Sequence, residues 1–167
     1  EDTLEKKGQF KVVSFKTEDG YNHFEFTDLE GELKQGLKLA NSAYFAKVIV
    51  RNCNIRSTRA RGLLLQTKNV LIENNRFSLI SGPAVLLACD VKYWNEMAPS
   101  ENVVIRNNVF VADAIGNRKC IGGGIVANLA HDTMNHNIPD QGCAHKNITI
   151  TGNRFVNMKD AAIFMNA

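Results

Sequence analysis

Two short stretches hold side chains of types that do chemistry. In "DVKYWNEMAPSE", residues 90–101, Asp90 is followed by Tyr93, by the single tryptophan, Trp94, and by Glu96. An aromatic face beside carboxylates suits a sugar, whose C–H face stacks on the ring while its hydroxyls bond to the acids. The same residues also fit a loop anchored by its own aromatic side chains. In "VADAIGNRKCIGG", residues 111–123, Asp113 is a second carboxylate. A pair of carboxylates flanking a glycosidic bond can supply a general acid and a general base, and a separation of about 6.5–9.5 Å goes with inversion. Asp90 and Asp113 are therefore the acid–base candidates. Arg59 and Arg61 are candidates for holding substrate or orienting a carboxylate, and a turn-bracing surface role fits them equally. His131–Asp132 is a weaker pair, and His23, His136 and His145 sit in no supporting pattern.

Bulk properties narrow the field. The 167 residues suffice for one domain with a real core, and 44% hydrophobic with 22% charged residues is ordinary globular composition. A net charge of +3 gives no argument for nucleic acid as a partner. No apolar run is long enough for a membrane helix, and "EDTLEKKGQF" lacks the apolar stretch of a signal peptide, so membrane insertion is not expected. Cys53, Cys89, Cys120 and Cys143 show no metal-ligand spacing. A Cys120–Cys143 disulfide is conceivable in a secreted protein.

The elements that must position these residues show themselves as a repeat. "KVIVRNCNI" at 47, "NVLIENNRF" at 69, "NVVIRNNVF" at 102 and "NITITGNRF" at 147 share aliphatic second and fourth positions, a polar turn and a closing Ile55, Phe77, Phe110 or Phe155. Alternation of period two marks strands. A second apolar run follows in "LLLQT", "VLLAC" and "IFMNA". The starts are 22, 33 and 45 residues apart, so the minimal unit is 22 residues, one turn of a parallel β-helix. The fold class expected is all-β, a right-handed parallel β-helix of four to five coils. Neighbouring coils then stack about 4.8 Å apart and equivalent residues fall into columns. Asn75, Asn108 and Asn153 form one such column at a turn, where their amides can bond to each other and to turn backbone. Cys53 takes that position in the first coil and reads as a buried scaffold thiol. Asn147-Ile148-Thr149 matches a glycosylation acceptor but begins a coil strand, so it too reads as scaffold.

Residues 1–46 differ. "FKVVSFKTEDGYNHFEF" reads as a hairpin about Asp19-Gly20, giving an N-terminal β segment or divergent first layer, with the β-helix over 47–167. The pattern stops at Ala167 without a polar capping repeat, so the chain is expected to be a piece of a longer protein, whose remainder or another copy would meet the open end.

With the register known, the insertions have places. Columns Leu63/Val85/Ile125/Ile163 and Leu65/Leu87/Ala127/Met165 should face inward. Leu64, Leu86, Val126 and Phe164, with Gln66, Ala88, Asn128 and Asn166, should face out. Residues 90–101 and about 130–146 follow this sheet, and about seven residues within 111–123 precede it. Long loops flanking one sheet of a solenoid make the walls of a trough, where binding chemistry sits on a rigid scaffold. Asn128 would lie on its floor. The loops could also be decoration, or packing against a neighbour.

Specific residues carry a resemblance. Arg59-Ala60-Arg61-Gly62-Leu63-Leu64, then "NVLIENNRF", then Asp90 with Trp94 and Glu96, then "NVVIRNNVF", resembles glycoside hydrolase family 110 over about residues 33–128. Those bacterial β-helix enzymes remove terminal α-1,3-linked galactose with inversion. The family usually reads Gly-Asp before the loop and Trp-Tyr-Glu-Ser-Gly within it; here Cys89 precedes Asp90 and the loop reads Trp94-Asn95-Glu96-Met97-Ala98. Of the family's acidic residues after the "NNxF" strand, only Asp113 stands here. The resemblance implies an exo-acting α-galactosidase with a galactose-terminated glycan as substrate and no metal or organic cofactor. Asp90 and Glu96 are then site residues, joined by Asp113. Trp94 would serve as sugar platform, Glu96 and Arg61 as hydroxyl ligands, and the location would be secreted, periplasmic or at a bacterial cell surface. Two other classes compete. One is a non-catalytic β-helix module for glycan binding or surface assembly. The other is a polysaccharide lyase, which would need a column of acids for calcium that the repeat does not show.

Overall fold

The computed structural model describes residues 8–37, 39–89, 99–111, 123–129, 145–158 and 161–166. Strands β1 (Gly8–Glu18) and β2 (Tyr21–Gly31) form an antiparallel hairpin. Its turn is the expected one: Asp19 and Gly20 both adopt positive φ, 51° and 77°, which matches the twist of two-residue hairpins. Among the described strands, β1 and β2 pack only on each other. Apolar residues follow a 2-then-3 spacing on each strand, Phe10, Val12, Phe15 and Phe24, Phe26, Leu29. Register shifts lie at both three-residue gaps, so the interruptions keep all six on one face.

The rest is a stack of four three-stranded coils. The first coil holds β3 (Val48–Arg51), β4 (Asn54–Thr58) and β5 (Leu63–Leu65); the second holds β6 (Lys68–Glu73), β7 (Arg76–Ile80) and β8 (Val85–Cys89). The third holds β9 (Glu101–Arg106), β10 (Val109–Val111) and β11 (Ile125–Leu129); the fourth holds β12 (Lys146–Thr151), β13 (Arg154–Val156) and β14 (Ile163–Asn166). Like strands pair in parallel into three sheets, β3-β6-β9-β12, β4-β7-β10-β13 and β5-β8-β11-β14. The register follows the nonapeptide: Val48, Val70, Val103 and Ile148 are successive partners. The two inward columns of the third sheet are as read, with Val85, Ile125 and Leu87 at 0% exposure. Ile163 and Met165 belong to the same columns but are 42% and 46% exposed, because no described strand stacks beyond the fourth coil.

Three columns hold the stack together. Phe77, Phe110 and Phe155 stack with centroids 4.9 and 5.0 Å apart and planes 9° and 10° from parallel. The column beside them must be small, and reads Gly62, Ala84, Gly124, Ala162. A Cβ on Gly124 would lie 2.6 Å from the Phe155 ring, so sterics rather than an unusual φ select glycine there. The third is the asparagine ladder. Oδ1 of Asn75 accepts from the Cys53 amide (2.9 Å), Asn108 from the Asn75 amide (2.9 Å) and Asn153 from the Asn108 amide (2.9 Å). Each Nδ2 donates to a carbonyl of the preceding coil, Val50, Ile72 or Ile105. The preceding column, Asn52, Asn74, Asn107, Gly152, has φ between 55° and 63°, the left-handed region that asparagine and glycine tolerate. Cys53 occupies the ladder position but is exposed, contrary to the buried thiol expected. It belongs to the first coil, and no described strand lies beneath to cover its sulfur.

A second ladder, not anticipated, runs through the first letter of the motif: Asn147 Nδ2 donates to Asn102 (3.0 Å) and Asn102 Nδ2 to Asn69 (3.2 Å). All three are left-handed, at φ 53–59°. This gives Asn147 its scaffold role. Asn108 is 1% exposed, and Asn108→Leu would strand the Asn75 amide and the Ile72 carbonyl. At about 1–3 kcal/mol per orphaned group, the variant should lose about 3 kcal/mol, read as a lower urea midpoint at unchanged slope.

Candidate active site

All three long insertions adjoin the third sheet. Residues 90–98 leave the C-terminal end of β8, 130–144 leave that of β11, and 112–122 enter the N-terminal end of β11. Asp90, Trp94, Glu96 and Asp113 lie in these segments, outside the described residues, as do His131, Asp132, His136, Cys120 and Cys143. The described residues place the floor and its surroundings. Asn128 is in β11, paired in register with Ala88 and Asn166, which puts it at the C-terminal end of the floor, near where two insertions depart. On the outer face, Leu64 is 40% exposed, whereas Val126 and Ala88 are 1% and 7% exposed. The outward face is therefore open to solvent at the first coil and closed at the centre of the sheet.

Arg59 and Arg61 lie in the corner between β4 and β5, at the N-terminal edge of the third sheet, opposite the edge from which residues 90–98 depart. Both are exposed, and among the described residues neither side chain has a hydrogen-bond or ion-pair partner. Guanidinium forks so exposed suit an anion or a hydroxyl. Among the described residues, no three His, Cys, Asp or Glu side chains converge to hold a metal.

The points where the insertions rejoin the scaffold form a buried cluster that the sequence did not reveal. Residues 90–98 return at Pro99–Ser100, and 130–144 return at His145. Ser100 is 0% and His145 6% exposed. The Ser100 amide donates to His145 Nδ1 at 3.1 Å, Ser100 Oγ donates to the Leu65 carbonyl at 3.2 Å, and the Lys146 amide donates to the Ser100 carbonyl at 3.0 Å. One loop's return is thereby clamped to the other's across adjacent coils. The available signal was column position: Thr67, Ser100 and His145 each stand three residues before an inward aliphatic, Val70, Val103 or Ile148.

Next to this clamp, Lys68 Nζ meets Glu101 Oε2 at 2.6 Å and sits 5.1 Å from the Phe45 ring centroid. The hydrogen bond from Lys68, then its charge, hold the Glu101 carboxyl below its ordinary 4.5; burial opposes this and the Lys146 charge assists.

Residues 13–167 match the right-handed β-helix region family, and the chain belongs to that family. Named relatives are more particular. The chain is 39% identical over 84 residues to alpha-1,3-galactosidase B of Akkermansia muciniphila, half of this chain and 11% of that protein. It is 34% identical over 111 residues to alpha-1,3-galactosidase B of Phocaeicola vulgatus, 66% of this chain and 17% of the relative. It is 31% identical over 126 residues to alpha-1,3-galactosidase A of Akkermansia muciniphila, 75% of this chain and 19% of the relative. The chain thus spans less than a fifth of the length of these relatives. No solved structure matches it significantly.

A carboxylate whose folded pKa is depressed adds stability above its unfolded pKa and loses that contribution as pH falls through the folded one. The native chain should therefore exceed Glu101→Gln in urea midpoint at neutral pH. The gap should close as pH drops below 4.5, which paired denaturation curves across pH would register.

Proposed function

We propose that this chain is the β-helix portion of an exo-acting glycoside hydrolase that releases terminal α-linked galactose from a glycan. The observation that carries the reading is the coincidence of two facts. The chain is similar to alpha-1,3-galactosidases, and every long insertion into its repeat adjoins one sheet.

In this reading Asp90 and Asp113 divide the chemistry of inversion. One protonates the departing glycosidic oxygen while the other deprotonates a water on the opposite face of the ring, yielding galactose of inverted anomeric configuration and a glycan one residue shorter. Trp94 stacks on the sugar's C–H face, and Glu96, Arg61, Arg59 and Asn128 bind its hydroxyls. The scaffold supports this chemistry by holding the loop ends rigid through the Ser100–His145 clamp. A galactose-terminated glycan as substrate goes with a secreted, periplasmic or surface-exposed bacterial protein.

The test uses the full polypeptide that contains this chain. It should release galactose from α-1,3-linked galactosides, with the β-anomer appearing first by NMR. Asp90→Asn and Asp113→Asn should each lower kcat by about 10²–10⁴-fold, the usual contribution of general acid–base catalysis, at unchanged urea midpoint. No release from a broad panel of galactosides, with glycan binding retained, would establish a non-catalytic binding module instead. An active protein whose Asp90→Asn variant keeps its rate would overturn the site assignment.

A further inference from the structure

The first and second sheets treat charge in opposite ways. On the first, the column Arg51, Glu73, Arg106 alternates in sign from coil to coil, and so does Lys68, Glu101, Lys146. Arg106 bonds Glu73 through two nitrogens at 2.7 and 2.9 Å, and Lys68 bonds Glu101. Parallel in-register strands set like positions side by side, so alternation is what keeps such columns from repelling themselves.

Among the described residues the second sheet has no such compensation. With Ile55, Phe77, Phe110 and Phe155 turned inward, the outward columns read Asn54, Arg76, Val109, Arg154 and Arg56, Ser78, Val111, Val156. Arg56, Arg76 and Arg154 are exposed, and among the described residues none of their guanidinium groups has a hydrogen-bond or ion-pair partner. Neither the strands of this sheet nor the described residues of its bounding corners contain an Asp or Glu. Arg76 and Arg154 share a column two coils apart, about 10 Å at the usual strand spacing. Arg56 lies one coil below Arg76 and two residues further along the strand. In a chain of net charge only +3, this is a local concentration of unpaired guanidinium groups that folding does not use.

We propose that the outer face of the second sheet binds the anionic groups, sulfate or carboxylate, of an acidic polysaccharide. Charge complementarity identifies the partner class, and the choice of arginine at all three positions suits planar, bidentate oxyanions. A nucleic acid is disfavoured because the outward positions between the arginines are Asn, Ser and Val, with no aromatic ring for bases to stack on. The corner that carries Arg59 and Arg61 adjoins this face, so an acidic glycan lying on it would extend toward the third sheet. The inference stands whether or not the chain is part of a hydrolase.

Affinity electrophoresis at low salt tests it, with heparin and polygalacturonate as anionic probes, neutral dextran as blank and single-stranded oligothymidylate as competitor polyanion. At least one anionic glycan should retard the chain, with the retardation lost in high salt, and dextran should not. Arg56→Ser, Arg76→Ser and Arg154→Ser combined should weaken binding about tenfold or more, each contact being worth a few-fold. Lys16→Ser with Lys34→Ser, which removes two lysines already paired with Glu18 and Glu32, should not. Arg59 and Arg61 stay intact, so the result reports on this face and not on the trough, and circular dichroism checks that the variants fold. Retention equal to that of the triple variant, no retardation by either anionic glycan, or oligothymidylate bound as tightly through the same arginines would each overturn the proposal.

Discussion

The structure depends on one constraint: each coil must land in register on the last, although the chain between coils varies from 22 to 45 residues. Backbone pairing alone does not impose this, because parallel ladders look alike after a slip of two residues. The asparagine ladder does. Its side-chain amides bond both the side chain and the backbone of the preceding coil at one corner, and a slipped coil would leave buried amides and carbonyls without partners. The left-handed residue just before it bends the chain so that the asparagine turns inward. The corner is thus both bend and lock, which is why it tolerates asparagine and, at Gly152, glycine.

Once the corner is in register the other columns follow. Phenylalanines two positions on from Asn75, Asn108 and Asn153 arrive stacked, and their rings require Gly or Ala across the interior. Charges on the first sheet favour the same register, since a slip of two residues between β6 and β9 would part Arg106 from Glu73 and Glu101 from Lys68. Each device is modest alone. They agree with one another, and that agreement is what lets copies of the repeat stand 22, 33 and 45 residues apart without the chain losing its place.

Much of this was legible in the sequence because a β-helix writes its geometry as a period. The nonapeptide and the apolar run that follows it located two strands of each coil, the inward columns of the third sheet and the ladder at Asn75, Asn108 and Asn153, and Asp19-Gly20 marked the hairpin turn. What was missed depends on neighbours rather than on period. Cys53 has the right column but lies at an end of the stack, so position within the motif did not determine burial. The burial of Val126, on an outward-facing position, breaks the strict in–out alternation. His145 looked isolated because its partner, Ser100, is 45 residues away, a separation created by the insertions themselves. The candidate site was legible only as a location: the repeat shows where it is interrupted, but an interruption has no period from which a side-chain position could be read.

That asymmetry has a physical basis in how the scaffold treats its loops. Residues 90–98 and 130–144 depart from the open ends of neighbouring strands, Cys89 and Leu129, which are partners in the third sheet. They return at Ser100 and His145, which are bonded to each other. Each loop is therefore fixed at both feet, and the two loops share both of their attachment lines. The feet of the two loops are thus set by the spacing of adjacent coils, about 5 Å. A pair of segments so anchored can vary in sequence while the frame beneath keeps its register.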